Sequence, residues 1–122
     1  MITSIRSIRN TPLRRVARLF IAWQSVPPES VNLNLWQCGT YACLGGHASM
    51  MRPFKVEGLK LKQLTPTYVA PSFGNDVCST ALKKFFGSDS GWLFDTADRA
   101  SGASGINHWR AADRRMRAYL SE

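Results

Sequence analysis

Cys38, Cys43 and His47 lie in the stretch "QCGTYACLGGHASMM", from Gln37 to Met51. Their C-x4-C-x3-H spacing admits three chemistries. In the first they are metal ligands. Thiolate and imidazole together favour zinc, and Cys43 and His47, four apart, share one face of any helix that carries them. A fourth ligand must then come from Cys78 or His108, and the close C-x2-C knuckle is missing. In the second, Cys38 is a nucleophile. It precedes Gly39 and an expected helix start, and helix N-termini raise thiolate content. His47 or His108 would be its base, but with a helix starting near Cys38, His47 lies two turns along it and too far away. In the third, the stretch is packing. Ala42, Cys43, Gly45, Gly46 and Ala48 are small enough to let another element approach closely, and cysteine serves as a small buried hydrophobe. Each helical glycine costs about 1 kcal/mol relative to alanine, so close packing must offset it. His47 is then hydrogen-bonded and half-buried. The third reading is preferred, so no catalytic residue, metal ligand or cofactor is assigned.

The charge points elsewhere. The 122-residue chain has a formal net charge of +8, and that charge comes in blocks. Residues 1–24 hold five arginines and no acid, and residues 52–64 hold four basic residues against Glu57. Residues 99–122 hold five arginines against Asp113 and Glu122, whereas 65–98 lean acidic. This suits an acidic macromolecular partner, either a host protein complex or a nucleic acid. The candidate binding residues are Arg14, Arg15 and Arg18 near the start of the chain and Arg110, Arg114 and Arg117 near its end. Trp36, Trp92 and Tyr68 are of a type that stacks on bases, though such aromatics are more often core. No phosphate loop, carboxylate pair or nucleic-acid motif accompanies the charge.

The elements that must position these residues are short. Thr11-Pro12 marks a helix start, and Leu13, Val16, Ala17, Phe20 and Trp23 give helical periodicity over about 12–24. The run Val26-Pro27-Pro28-Glu29-Ser30 is a connector, and Val31–Leu35 alternates as an extended piece. A second helix is expected from Gly39-Thr40 to just before Pro53. "FKVEGLKLKQL" alternates around Gly58 as a small hairpin would, and the prolines of "TPTYVAPSFG" suggest loop or edge strand. Asn75-Asp76 caps a third helix that Gly87 stops. A short helix is expected to hold Trp92, Leu93 and Phe94. A last helix carries Trp109, Ala112, Met116, Tyr119 and Leu120 on one face and Arg110, Arg114 and Arg117 on another. The fold class is α+β, mainly α, with four to five short helices and a small β-hairpin. It forms one small domain over 1–122, with 1–11, carrying Ile2, Ile5 and Ile8, as a mobile arm.

Hydrophobic residues make up 44% of the chain and charged residues 20%, as in ordinary globular domains. No apolar run reaches membrane-span length, no secretory signal is read at the N-terminus, and the odd cysteine count argues against a disulfide framework. A cytoplasmic setting is expected.

The run "CGTYACLGGHA", Cys38 to Ala48, resembles a Cys-Gly-Thr-x-x-Cys-x-x-Gly-His-Ala motif of small uncharacterised proteins from bacteria and their phages. As in that group, a double proline precedes the motif (Pro27-Pro28). An aromatic helix ending in glycine follows it (Phe85-Phe86-Gly87), and then a Leu-Phe pair (Leu93-Phe94). The resemblance loosely covers residues 13 to 120 and carries no catalytic residue across. It implies a phage or mobile-element origin. The expected function is that of a small, non-enzymatic inhibitor-type binding protein acting stoichiometrically on a host macromolecular machine, such as a nucleic-acid-guided defence complex. The alternatives are a nucleic-acid-binding accessory or regulatory protein and a cysteine- or zinc-dependent enzyme.

Overall fold

A computed structural model describes residues 12–36, 42–96, 102 and 104–121. The arm expected over 1–11 and the cap at Thr11 lie outside them. Helix α1, Pro12–Trp23, begins on its proline, where the missing N–H leaves no bond unmade. Val16, Leu19 and Trp23 recur at helical spacing and are its buried residues. A 3-10 turn at Pro28–Ser30 follows the connector. The extended piece expected over Val31–Leu35 is shorter than its alternation implies. Val31 makes an isolated parallel bridge to Ala42, and the Leu35 N–H turns back onto the Asn32 carbonyl at 3.2 Å. Val31, just before that turn, and Leu33, within it, are buried.

The helix expected from Gly39 runs instead as α2, Leu44–Met50, with Cys43 as its N-cap. Pro53 does not close the helical region. It sits at the N-terminus of a further short helix, α3, Arg52–Val56, where proline is tolerated. The hairpin expected around Gly58 is therefore displaced. Phe54–Val56 is helical, and the hairpin is β1, Lys60–Thr65, against β2, Tyr68–Phe73. Its register pairs Lys60 with Ser72 and Lys62 with Ala70, with an irregularity between Gln63 and Thr65. The segment expected to be loop or edge strand is the central strand of a three-stranded antiparallel sheet, ordered β1-β2-β3. Pro71 is tolerated there because β3, Asp76–Val77, meets β2 only at Ser72 and Phe73. The proline removes no ladder bond on that side.

Helix α4, Cys78–Phe86, starts directly after β3 with no side-chain cap, so Asn75-Asp76 forms a turn and strand rather than a cap. Gly87 stops α4 at φ 110°, a conformation that strains other residues. A Cβ there would also meet Pro12 of α1 at 3.1 Å. A second 3-10 turn, Gly91–Phe94, leads towards α5, Ile106–Leu120. The described residues thus form five α-helices and one small antiparallel sheet, the mainly-α α+β class. One core unites them. Phe54, Phe85, Phe86 and Phe94 make a chain of ring contacts with centroids 4.9–5.5 Å apart. Trp23 stacks on Trp109 at 6.3 Å, and each indole N–H donates to the other's backbone carbonyl at 3.2 Å. These paired bonds lock α1 to α5.

Candidate interaction surface

Cys38, on which the nucleophile reading depends, lies outside the described residues, as do Gly39 and Thr40. Cys43 caps α2: its Sγ accepts the Gly46 N–H at 3.3 Å. Burial pushes its thiol up to about 11, against the lowering effect of hydrogen bonds from Gly46 and Gly45. It therefore carries almost no thiolate near neutral pH. His47 sits in the last turn of α2, with Nε2 3.0 Å from the Ser30 carbonyl oxygen and its ring edge-on to Trp23. Burial lowers its pKa and the Ser30 bond raises it; the net effect is below the ordinary histidine value. His108 is wholly buried. Its Nδ1 accepts the Leu33 N–H at 2.9 Å, and its Nε2 lies 2.9 Å from the Gly102 carbonyl oxygen. An N–H can only donate and a carbonyl can only accept, so the ring is neutral with its proton on Nε2. Both nitrogens are occupied: Nδ1 ties α5 to the 31–36 turn, and Nε2 ties it to Gly102. Cys78 Sγ lies 3.8 Å from the Tyr68 hydroxyl, which accepts the Trp36 indole N–H at 2.7 Å. Among the described residues, no three histidine, cysteine or acidic side chains are grouped to hold a metal ion.

The small residues have a packing reason. A Cβ on Gly46 would overlap the Trp36 carbonyl, and one on Gly45 would come within 2.5 Å of Leu82 Cδ1. The backbone of α2 is thus pressed against the 31–36 turn on one side and against α4 on the other.

The six candidate arginines do not share one environment. Arg14 is half-buried and engaged with neighbours. Arg15 and Arg18 turn inward onto Glu57, with Arg15 Nε to Oε1 at 3.0 Å and Arg18 Nη1 to Oε2 at 2.7 Å. Arg15 also donates to the Phe85 carbonyl at 2.8 Å and lies 4.0 Å over the Phe85 ring. Arg18 lies 5.5 Å over Phe54. Burial pushes the Glu57 carboxyl up, but the hydrogen bonds and charges of Arg18 and Arg15 outweigh it, so the group sits below its ordinary range. These two arginines fasten α1 to the end of α3. The one sequence signal for it is Glu57, the lone acid in a basic block. Arg117 pairs with Asp113 at 2.9 Å and lies 5.0 Å over Phe20. Arg110 and Arg114 are exposed, and neither side chain has an ion pair or hydrogen bond among the described residues.

Position on α1 explains this division. Phe20 and Gln24 face α5, where the Gln24 side-chain amide donates to Asp113 at 2.9 Å. Arg18 and Ala22, on the opposite side of the helix, face α3. The helices α5, α1 and α3 therefore form one continuous surface. Its two described carboxylates, Asp113 and Glu57, are held by arginines, which leaves Arg110 and Arg114 at one margin and Arg52 and Lys55 at the other unopposed. Charge counting alone gives no reason to single out Arg52 and Lys55.

Away from this surface, Trp36, Tyr68, Phe94, Leu33 and Cys43 line a cavity of about 380 Å³. Of the three aromatics considered for base stacking, Trp36 and Tyr68 are thus joined at one site, whereas Trp92 packs against Tyr119 with ring centroids 6.1 Å apart. No helix of the described residues is long and apolar enough to cross a membrane. Comparison of the chain with known families, curated proteins and solved structures returns no match.

Proposed function

We propose that this is a small binding protein that occludes an acidic macromolecular partner through the surface formed by α5, α1 and α3. One observation carries the reading. Arg110 and Arg114 stand exposed on α5 and unopposed among the described residues, while the described carboxylates of the same surface are neutralised from within. Charge arranged in this way steers association and selects an oppositely charged face. Cys43, His47 and His108 have structural hydrogen-bond partners, and the Cys43 thiol is buried, which favours binding over catalysis. The resemblance of residues 38–48 to small bacterial and phage proteins supports a cytoplasmic host machine as the target, nucleic-acid-guided defence complexes among them. A protein target is preferred to bare nucleic acid because no groove-reading element accompanies the charge.

The test is affinity capture from host extract, with and without nuclease, using the wild type and the double variant Arg110→Glu/Arg114→Glu. The expected result is a stoichiometric protein partner that survives nuclease and is lost in the variant, whose melting temperature stays within a few degrees. Salt-sensitive, sub-micromolar binding to plain nucleic acid, with no protein captured, overturns the reading. Such binding should weaken with each phosphate contact removed.

A further inference from the structure

The groove between α1 and α3 is the second feature of this surface. Ile21, Ala22, Met51, Pro53 and Phe54 line a space of about 410 Å³, with Arg18 and Arg52 at its edges. Phe54 is buried at the floor, while Ile21 on the rim is 70% exposed. One neighbouring position extends the apolar character. Val56, 78% exposed, follows Arg52 by one helical turn on α3. Leaving such groups in water has no benefit for the isolated fold, and contiguous exposed apolar surface marks contact sites.

The charges around the groove indicate what would fill it. Arg15 and Arg18 face a single carboxylate, so a unit of positive charge remains there. Arg52 and Lys55 on α3 are exposed, with no side-chain ion pair or hydrogen bond among the described residues. An apolar trough bordered by cations is complementary to an amphipathic helix with an apolar stripe and acidic flanks. A second copy of this chain would set like charge against like charge at the same rim. Phosphates would satisfy the rim but leave the apolar trough empty. A lipid surface would meet the exposed Ile21 and Val56 but would leave the recessed floor at Phe54 unfilled, and the vesicle arm of the experiment tests it.

We infer that the α1–α3 groove is a docking site for an acidic amphipathic helix of a protein partner. This deepens the binding-protein reading and rests on it, naming the chemistry of what one margin of the surface holds. Ile21 would seat against the ligand's apolar stripe, and Arg52 and Lys55 would meet its carboxylates.

The experiment uses the full chain and a labelled synthetic helix of about four turns, with leucines at i, i+3, i+4 and i+7 spacing and glutamates elsewhere. The comparison probes are a scrambled peptide of the same composition, duplex DNA, and vesicles of phosphatidylserine and phosphatidylcholine. Fluorescence anisotropy should show micromolar binding of the patterned peptide. Ile21→Asp should weaken it by at least about tenfold and Arg52→Ala by about threefold, the latter with reduced salt dependence. Both residues are exposed, so both variants should keep the wild-type melting temperature. Arg110→Glu/Arg114→Glu should leave peptide affinity unchanged, which separates failure of the groove from failure of the α5 face. The inference is overturned by no binding, by equal binding of the scrambled peptide, or by affinity that ignores Ile21→Asp. DNA or vesicle binding that Ile21→Asp abolishes, in place of peptide binding, overturns it as well.

Discussion

The turn-and-helix region around Cys43 and the outer surface of α5, α1 and α3 make opposite use of reactive residue types. Around Cys43, three described groups that most suggest chemistry are engaged in holding backbone. Cys43 caps a helix, His47 lies against the Ser30 carbonyl, and His108 bridges the Leu33 N–H and the Gly102 carbonyl. On the outer surface, Arg110, Arg114, Arg52 and Lys55 have no such occupation among the described residues. A side chain with all its hydrogen-bonding capacity used inside the fold has little left for a ligand, whereas an unopposed charge in water is available to one. The contrast puts the described structural roles inside and makes the outer surface the place to test the proposed recognition.

The sharpest way to break this comparison is Gly46→Leu. The new side chain must displace the Trp36 carbonyl, which belongs to backbone and cannot swing aside. A loss of at least about 3 kcal/mol is expected, at the upper end of overpacking costs, so calorimetry should find the variant unfolded or nearly so. A stable Gly46→Leu would mean that α2 does not press on the 31–36 turn.

Next in size is Glu57→Gln, which leaves two half-buried guanidiniums without their carboxylate. Allowing for solvent screening, about 1–2 kcal/mol should be lost in urea melts at pH 7. Because the folded carboxyl titrates below its unfolded counterpart, its contribution is present above the ordinary carboxylate range. That contribution fades as pH falls through the folded value. The difference between wild type and Glu57→Gln should therefore shrink in acid; a constant difference would show that the ion pairs are not its source.

His47 gives a smaller, pH-selective effect. Its folded pKa lies below 6.5, so between the two values the unfolded chain binds the extra proton. Stability should be full above 6.5 and decline as pH drops through the folded value. His47→Gln should flatten that part of the profile, and an unchanged slope would exclude His47 as its origin.

Smallest is the reactivity of Cys43. With its thiol raised to about 11 and its surface buried, it should resist alkylation at pH 7.5 in the native state and react after denaturation, as followed by site-resolved mass spectrometry. Rapid native labelling would return this stretch to the chemical class.

The sequence by itself determined α1, α4 and α5. Each carries a strong 3.6-residue apolar period, and Pro12 and Gly87 punctuate two of their ends through backbone rules that hold in any context. It also determined that the charge is basic and blocked, and that Gly45 and Gly46 would need a close neighbour. Where the signal was short, tertiary structure decided. Phe54–Val56 alternates like a strand yet coils as α3, because Phe54 gains burial against Phe85 and Phe86. Residues 68–73, with a proline, became a central strand because β3 is too short to need the missing donor. The same holds for the candidate surface. Sequence placed Arg15 and Arg18 beside Arg110 and Arg114 as equals, since charge and exposure are the same on paper. Only the fold brings Glu57, 42 residues from Arg15 and 39 from Arg18, to within hydrogen-bonding distance. A long-range carboxylate thereby makes struts of Arg15 and Arg18, and Arg110 and Arg114, which no described carboxylate reaches, carry the proposed contact.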